Sequence, residues 1–269
     1  MTTTQIFAAE LSAQQSSREM DLEEARSIQG LMLPAEALCT GQVTVAHEFQ
    51  PAAEVGGDFL DYFPLADESV GLYLGDVCGK GLPAALYAAL AVGTLRGVHK
   101  TGQSPANVLN TLNRRLTIRG IPRRYTTMQY AVFNPESGVM QIASAGISGP
   151  LHLFPGGCRI LELSGLPPGM FSDASYETTT VQLAPGDAMV FFTDGIVEAM
   201  DIADDPFGTE RLRELCHGQV VATPRELLER IFATVREFAH GRAQHDDMAA
   251  TLFQYLGPEA DNQRRKPCT

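Results

Sequence analysis

The residues best suited to chemistry in this chain are aspartates, and they fall at the ends of apolar runs. Asp58 and Asp61 lie in "EVGGDFLDYF", and Asp76 closes "GLYLGD". Asp194 closes "AMVFFTDG", and Asp246 and Asp247 open "DDMAATLFQYL". Singly, each suits a turn, because an Asp side chain bonds nearby backbone and a neighbouring Gly accepts positive φ. Together, if the runs are neighbouring strands, the carboxylates gather at one edge. Like charges so placed raise one another's pKa and cannot all stay ionised without cations. Hard carboxylate oxygens select Mg²⁺ or Mn²⁺ over zinc or copper. Two such ions can bridge a hydroxide and clamp a phosphoryl group. The residues alone leave open whether the strand ends converge.

The segment Val70–Leu86, "VGLYLGDVCGKGLPAAL", suggests a second chemistry, a phosphate-binding loop between strand and helix. That loop needs GxxxxGK followed by Ser or Thr. Here Leu74 stands where the first glycine belongs and Gly81 follows Lys80, so the pattern fails twice. Gly79 and Gly81 are instead expected to turn the chain tightly from strand to helix. Lys80 is expected to be a solvated charge at a helix start, where a cation is disfavoured. Its alternative role is to contact an incoming phosphate or a partner. Glu54 and Asp61 are near enough to support a ligand, but solvated loop carboxylates are the simpler reading.

Those aspartates need elements to hold them. The 269 residues suffice for one large domain with a substantial core. Acidic residues outnumber basic ones by 32 to 20, a formal charge of −12. That balance, with no basic patch evident, weighs against nucleic-acid binding, which relies on Lys and Arg against phosphates. The five cysteines are scattered without a CxxC pair, so free thiols in a reducing compartment are expected. There is no secretory signal pattern and no apolar run of the ~20 residues needed to cross a bilayer. A cytoplasmic protein with no membrane association is therefore expected.

Residues 1–20 are polar and small, and are expected to be poorly ordered. A helix is expected over 21–34, with Leu22, Ala25, Ile28 and Met32 as a short apolar stripe and Pro34 as its stop. It reads as a helix packed on its own domain, with a connector or homodimer contact as the alternative. Residues 35–256 follow as a single domain, and 257–269 as a polar tail. Strand hairpins come first. An Ala/Leu-rich helix expected to be buried follows from Leu82, and then a helix capped by Ser104 with Pro105 at its first position. A run of antiparallel strands, further helices and a closing strand complete the domain. This order is α+β, and two face-to-face sheets with helices outside accommodate it.

The chain resembles the PPM-type metal-dependent serine/threonine protein phosphatases, and more closely their bacterial SpoIIE/RsbU-like branch. The resemblance rests on "ARSIQGLMLP", "EVGGDFLDYF", "GDVCGKGLPAAL", "YTTMQYAVFNPESGVMQIASAG", "GDAMVFFTDGIVEAM", "FGTERL" and "DDMAATL", in that order. It implies an αββα sandwich of two mainly antiparallel sheets, with two Mn²⁺ or Mg²⁺ ions at one end. Carried over, Asp76 would bridge both metals and the Val77 carbonyl would join one of them. Asp194 and Asp246 would hold the other, and Asp58 would complete the site directly or through water. Asp247 is a further metal candidate, or it orients Asp246. A bridging hydroxide would attack phosphorus in line, with no covalent intermediate. The implied substrate is a phosphoserine or phosphothreonine on an anti-anti-sigma, STAS-domain regulator. A catalytically inactive module that only binds such a partner is the alternative.

The chain departs from the family pattern at Ala145-Gly146-Ile147, where Ala-Gly-His is common, at Ala249 and at Pro168. None of these is an implied metal ligand. No sensory domain is expected ahead of the catalytic one. The resemblance also implies regulation through the helices at 21–34 and after Gly81, with Ile28 and Met32 as expected contacts.

Overall fold

The computed structural model describes residues 3–218, 221 and 223–258. Most of the tail expected over 257–269 lies outside the described residues. All strand pairings among them are antiparallel, in two sheets. One sheet has five strands in the order β3 (Phe59–Pro64), β4 (Val70–Val77), β5 (Thr126–Asn134), β6 (Val139–Ala145), β9 (Thr179–Gln182). The other has six: β1 (Leu38–Cys39), β2 (Val43–Gln50), β11 (Met248–Tyr255), β10 (Ala188–Phe192), β7 (Leu151–Phe154), β8 (Gly157–Ile160).

Three apolar layers fix this arrangement. Leu72 and Leu74 of β4 meet Met189 and Phe191 of β10 and Phe253 of β11 between the sheets. Alternate residues face outward. Tyr73 and Val77 pack under α2 (Gly81–Arg96) and α3 (Pro105–Ile118). Val190 and Phe192 pack under α5 (Gly208–Cys216) and α6 (Pro224–Phe238). Strands covered on both faces show no alternation, and every residue of β10 and β11 is buried. The result is the αββα order expected from the sequence.

Local chemistry sets the helix starts. Ser104 accepts a hydrogen bond from the Asn107 backbone N–H, and Thr223 accepts one from Glu226, each with proline next as the first helical residue.

Several expectations are corrected. Residues 3–20 are not irregular: α1 is one continuous helix over Thr3–Gly30. The stretch from Thr3 to Gln29 contains neither Pro nor Gly, so nothing in it breaks a helix. The helix expected to be buried, α2, buries only its alanine face, with Ala84, Tyr87, Ala88, Ala91 and Leu95 inside. Leu82, Leu86 and Leu90 are 45, 65 and 50% exposed on the other face. Cys78, Cys158 and Cys216 are free thiols, but Cys39 is disulfide-bonded. Among the described residues no helix is long and apolar enough to cross a membrane.

Candidate active site

Both sheets deliver carboxylates to the same end of the sandwich. In the five-stranded sheet Phe59 pairs with Gly75, so Asp58 enters β3 beside the point where Asp76 leaves β4. In the other sheet Phe192 pairs with Ala250, so Asp194 follows β10 where Asp246 and Asp247 lead into β11. Two hydrogen bonds join these pairs across the sandwich. Thr193 Oγ1 donates to Asp58 Oδ2 at 2.8 Å, and the Gly57 N–H donates to Asp247 Oδ2 at 2.6 Å. Thr193 Oγ1 also accepts from the Ala249 N–H at 3.0 Å, and of its two acceptors Asp58 is nearer than the Ala249 carbonyl at 3.4 Å.

The two glycines of "GGD" are required by this crowding. A side chain on Gly56 would collide with the Asp247 carboxylate. A Cβ on Gly57 would lie 2.9 Å from the Val77 carbonyl oxygen and 3.1 Å from Asp76 Oδ1. The missing side chain at Gly57 therefore leaves a gap that one carbonyl and one carboxylate oxygen face together. Asp247 is held from behind, since its Oδ1 also accepts from the Ala52 N–H at 2.8 Å. Gly195 has no room for a side chain because the Asp247 carbonyl abuts it.

The electrostatics follow from burial and proximity. Burial raises the Asp58 pKa well above the carboxylate range, with Asp76 and Asp247 adding to the effect and the Thr193 hydrogen bond opposing it. Burial and then the Asp194 charge push Asp76 up to about 7, and the Asp58 hydrogen bond opposes the rise. Asp194 is raised by burial, Glu198 and Asp246. Such a set gains from a cation that stabilises the ionised forms. All its donors are hard oxygens, which suit Mg²⁺ or Mn²⁺. The residues therefore fit divalent cations, although among the described residues no three His, Cys, Asp or Glu side chains already converge on one point. Asp246 is drawn aside, its Oδ2 lying 3.2 Å from Lys80 Nζ.

Lys80 is thus solvent-exposed, as expected, but also paired. Its ammonium bridges the Asp246 carboxylate and the His245 carbonyl. Asp61 also departs from both readings offered for it. It sits within β3, ion-paired to Arg96 at 3.1 Å and accepting from the Tyr73 hydroxyl at 3.3 Å. Glu54 is exposed, as a solvated loop carboxylate would be.

The sequence reading missed Thr193, Gly56, Gly57 and Gln29. Gln29 is the one buried polar residue described in α1. Its Nε2 donates to the Gly56 carbonyl at 2.8 Å, and its Oε1 accepts from the Gly56 N–H at 3.0 Å. The expected contact Ile28 is 57% exposed, while Met32 packs at the edge of the core under α2. The "GG" before Asp58 was the one available signal: paired glycines at a strand entry imply close approach of another group.

The fold is that of PP2C phosphatase domains. The chain superposes on the SiaA-PP2C domain of Pseudomonas aeruginosa with a TM-score of 0.81 and 23% identity, covering 90% of this chain and 99% of that one. The PP2C domain with a regulatory fragment of SpoIIE from Bacillus subtilis gives 0.73 and 18%, over 81% and 63% of the two chains. Residues 66–255 match the model for Stage II sporulation protein E (SpoIIE), and the chain belongs to that family. It is 28% identical to the phosphoserine phosphatase RsbU of Bacillus subtilis, over 89% of this chain and 71% of RsbU. It is 26% identical to protein IcfG of Synechocystis over 85% of its length, but spans only 40% of IcfG.

Proposed function

We propose that this protein is a metal-dependent phosphatase of phosphoserine or phosphothreonine in proteins. The observation that carries this reading is the meeting of strand-end carboxylates from both sheets around the gap at Gly57. The name of RsbU, a phosphoserine phosphatase similar over most of the chain, supports the reaction class. In this reading Asp76, the Val77 carbonyl, Asp194 and Asp246 would hold the divalent cations. Asp58 completes the set from β3. Asp247 acts as the anchor of the 52–57 loop rather than as the principal ligand, since both its oxygens already accept backbone N–H groups. Bound cations would activate water for attack on phosphorus and neutralise charge on the phosphoryl oxygens. The chain's own residues hold that site together: Thr193 orients Asp58, and Gly57 keeps the gap open.

The substrate we infer is a cytoplasmic anti-anti-sigma protein of the STAS class. The intact carboxylate set favours an active enzyme over a module that only binds. We also infer that α1 forms a homodimer contact, because Met20 and Ile28 on it and Leu31 just after it are 73, 57 and 81% exposed; a sedimentation mass of a monomer at high concentration rejects that contact. The enzyme is tested by hydrolysis of an aryl phosphate. Turnover should need Mn²⁺ or Mg²⁺, stop with EDTA, and be lost in Asp76→Asn and Asp194→Asn. Turnover that persists in EDTA removes the mechanism. A folded, metal-loaded protein that binds a STAS partner but hydrolyses nothing points to the binding module.

A further inference from the structure

The expectation that this acidic chain carries no basic patch does not hold locally. Arg114 and Arg115 lie in the last turns of α3, and Arg119, Arg123 and Arg124 lie between its end and the start of β5. The first four are exposed, and among the described residues none of their side chains makes an ion pair or hydrogen bond. On a chain with 32 acidic residues, four neighbouring arginines without a carboxylate are a local excess of positive charge facing solvent. Neighbouring exposed arginines repel one another weakly through water, and an acidic partner would relieve that repulsion.

The cluster is tied to the active site. Arg124 donates to the Cys78 carbonyl, one residue beyond Val77, and its guanidinium lies over Gly79. The Cys78 N–H in turn donates to the Tyr125 carbonyl at 3.0 Å, and Thr126 Oγ1 donates to the Asp76 carbonyl at 2.7 Å. The loop carrying the arginines therefore forms one wall of the turn that holds Asp76. Apolar side chains are interleaved with the charge. Ile118 and Ile121 are 65 and 50% exposed in the same segment. Met170 and Phe171, 47 and 44% exposed, stand beside it, because Asn113 of α3 accepts from the Gly169 N–H and donates to the Phe171 carbonyl. Arginine mixed with exposed apolar and aromatic side chains is the composition of a protein-binding surface.

We propose that the arginines at 114–124, with Ile118, Ile121, Met170 and Phe171, dock a polypeptide that carries carboxylates next to its phosphorylated residue. The proposal rests on the phosphatase reading and adds what the substrate looks like around the phosphate. Selectivity would then come from a charged surface beside the metal-facing gap and not from the gap itself, which only a phosphoryl group enters.

The test uses two phosphoserine peptides of equal length, one flanked by Asp and Glu and one by Asn and Gln, with the full chain in Mn²⁺. The expected ratio of kcat/KM, acidic over neutral, is about tenfold at low salt and shrinks as salt screens the pairing. In Arg119→Glu/Arg123→Glu the ratio should fall to about one or below, with the circular dichroism spectrum retained. A ratio near one in the parent protein, or a ratio that survives the double substitution, overturns the docking surface. Binding of the unphosphorylated acidic peptide, read by fluorescence anisotropy, separates the two ideas. If it binds in an arginine-dependent way while neither phosphopeptide is hydrolysed, the phosphatase reading fails and the surface stands. If an oligonucleotide or an anionic lipid vesicle of matched charge binds this surface more tightly than the peptide does, the partner class is wrong.

Discussion

Removing the Gln29 side chain tests whether the N-terminal helix is mechanically joined to the active site. Gln29 exchanges two hydrogen bonds with the Gly56 backbone, at 2.8 and 3.0 Å, and is only 6% exposed. In Gln29→Ala the Gly56 N–H and C=O lose both partners in a buried setting. Each unpaired group costs about 1–3 kcal/mol, so the intact conformation loses about 2–6 kcal/mol in total. The loop can escape part of that cost by opening to water. Opening would pull Gly57 away from Asp247 and shift the gap that the Val77 carbonyl and Asp76 face. Stability and metal affinity should therefore fall together.

The expected result is a urea midpoint lowered by the equivalent of about 2–4 kcal/mol, and Mn²⁺ binding weakened about tenfold by calorimetry. Gln29→Glu turns a carboxylate oxygen toward the Gly56 carbonyl in a buried setting, so above the carboxylate range it should be at least as destabilised as Ala. Ile28→Ala serves as the control: the side chain is 57% exposed and should change stability by less than about 0.5 kcal/mol. If Gln29→Ala matches the parent in both midpoint and Mn²⁺ affinity, α1 is not coupled to the site through Gly56. A fall in stability with unchanged affinity for Mn²⁺ would mean that Gln29 only secures the helix. Arg96 offers a second tie, donating to the Met32 carbonyl at 2.7 Å while paired with Asp61, so the helix should stay attached in either variant.

Three further outcomes follow from the same geometry. In metal-free protein, Asp58, Asp76 and Asp194 hold protons that the unfolded chain releases, so their stabilising effect is fully present below the unfolded pKa and is lost as pH rises through about 7. The Tm of chelated protein should accordingly drop between about pH 5 and about pH 8, less steeply in Asp76→Asn, and Mn²⁺ should restore it; a chelated Tm that climbs over this range contradicts the assignment. Lys80→Met releases Asp246 from an ammonium 3.2 Å away and should tighten Mn²⁺ binding about 2–5-fold, since the pair is partly exposed. Weaker binding would show instead that Lys80 holds Asp246 in its working position. Gly57→Ala places a methyl group 2.9 Å from the Val77 carbonyl, so the folded protein should lose most Mn²⁺ affinity; full affinity would mean that the ions sit elsewhere.

What the sequence disclosed and what it hid divide along a physical line. Strands such as 188–192 and 248–255 are covered on both faces, so they appear as unbroken apolar runs, and the aspartates at their ends are visible by position alone. Information that depends on a distant partner is not visible in this way. The "APGD" turn has the chemistry of a hairpin, yet β9 and β10 belong to different sheets, because sheet membership is decided by which layer each strand packs against. Residues 81–96 are apolar on every side, so nothing in their spacing says that the alanine face is inside and the leucines are out. Close packing against a sheet favours the smaller side chains, and that preference exists only once the sheet is there. Gln29 is the sharpest case. A glutamine in a polar helix reads as solvated, and this one becomes structural only because Gly56, whose side chain is excluded by Asp247, presents a bare peptide group to it. The carboxylate that anchors the 52–57 loop and the N-terminal helix thus meet at one glycine. A change to either should be felt by the other, even though the hydrogen bonds of Gln29 go to the Gly56 backbone and not to an acidic side chain.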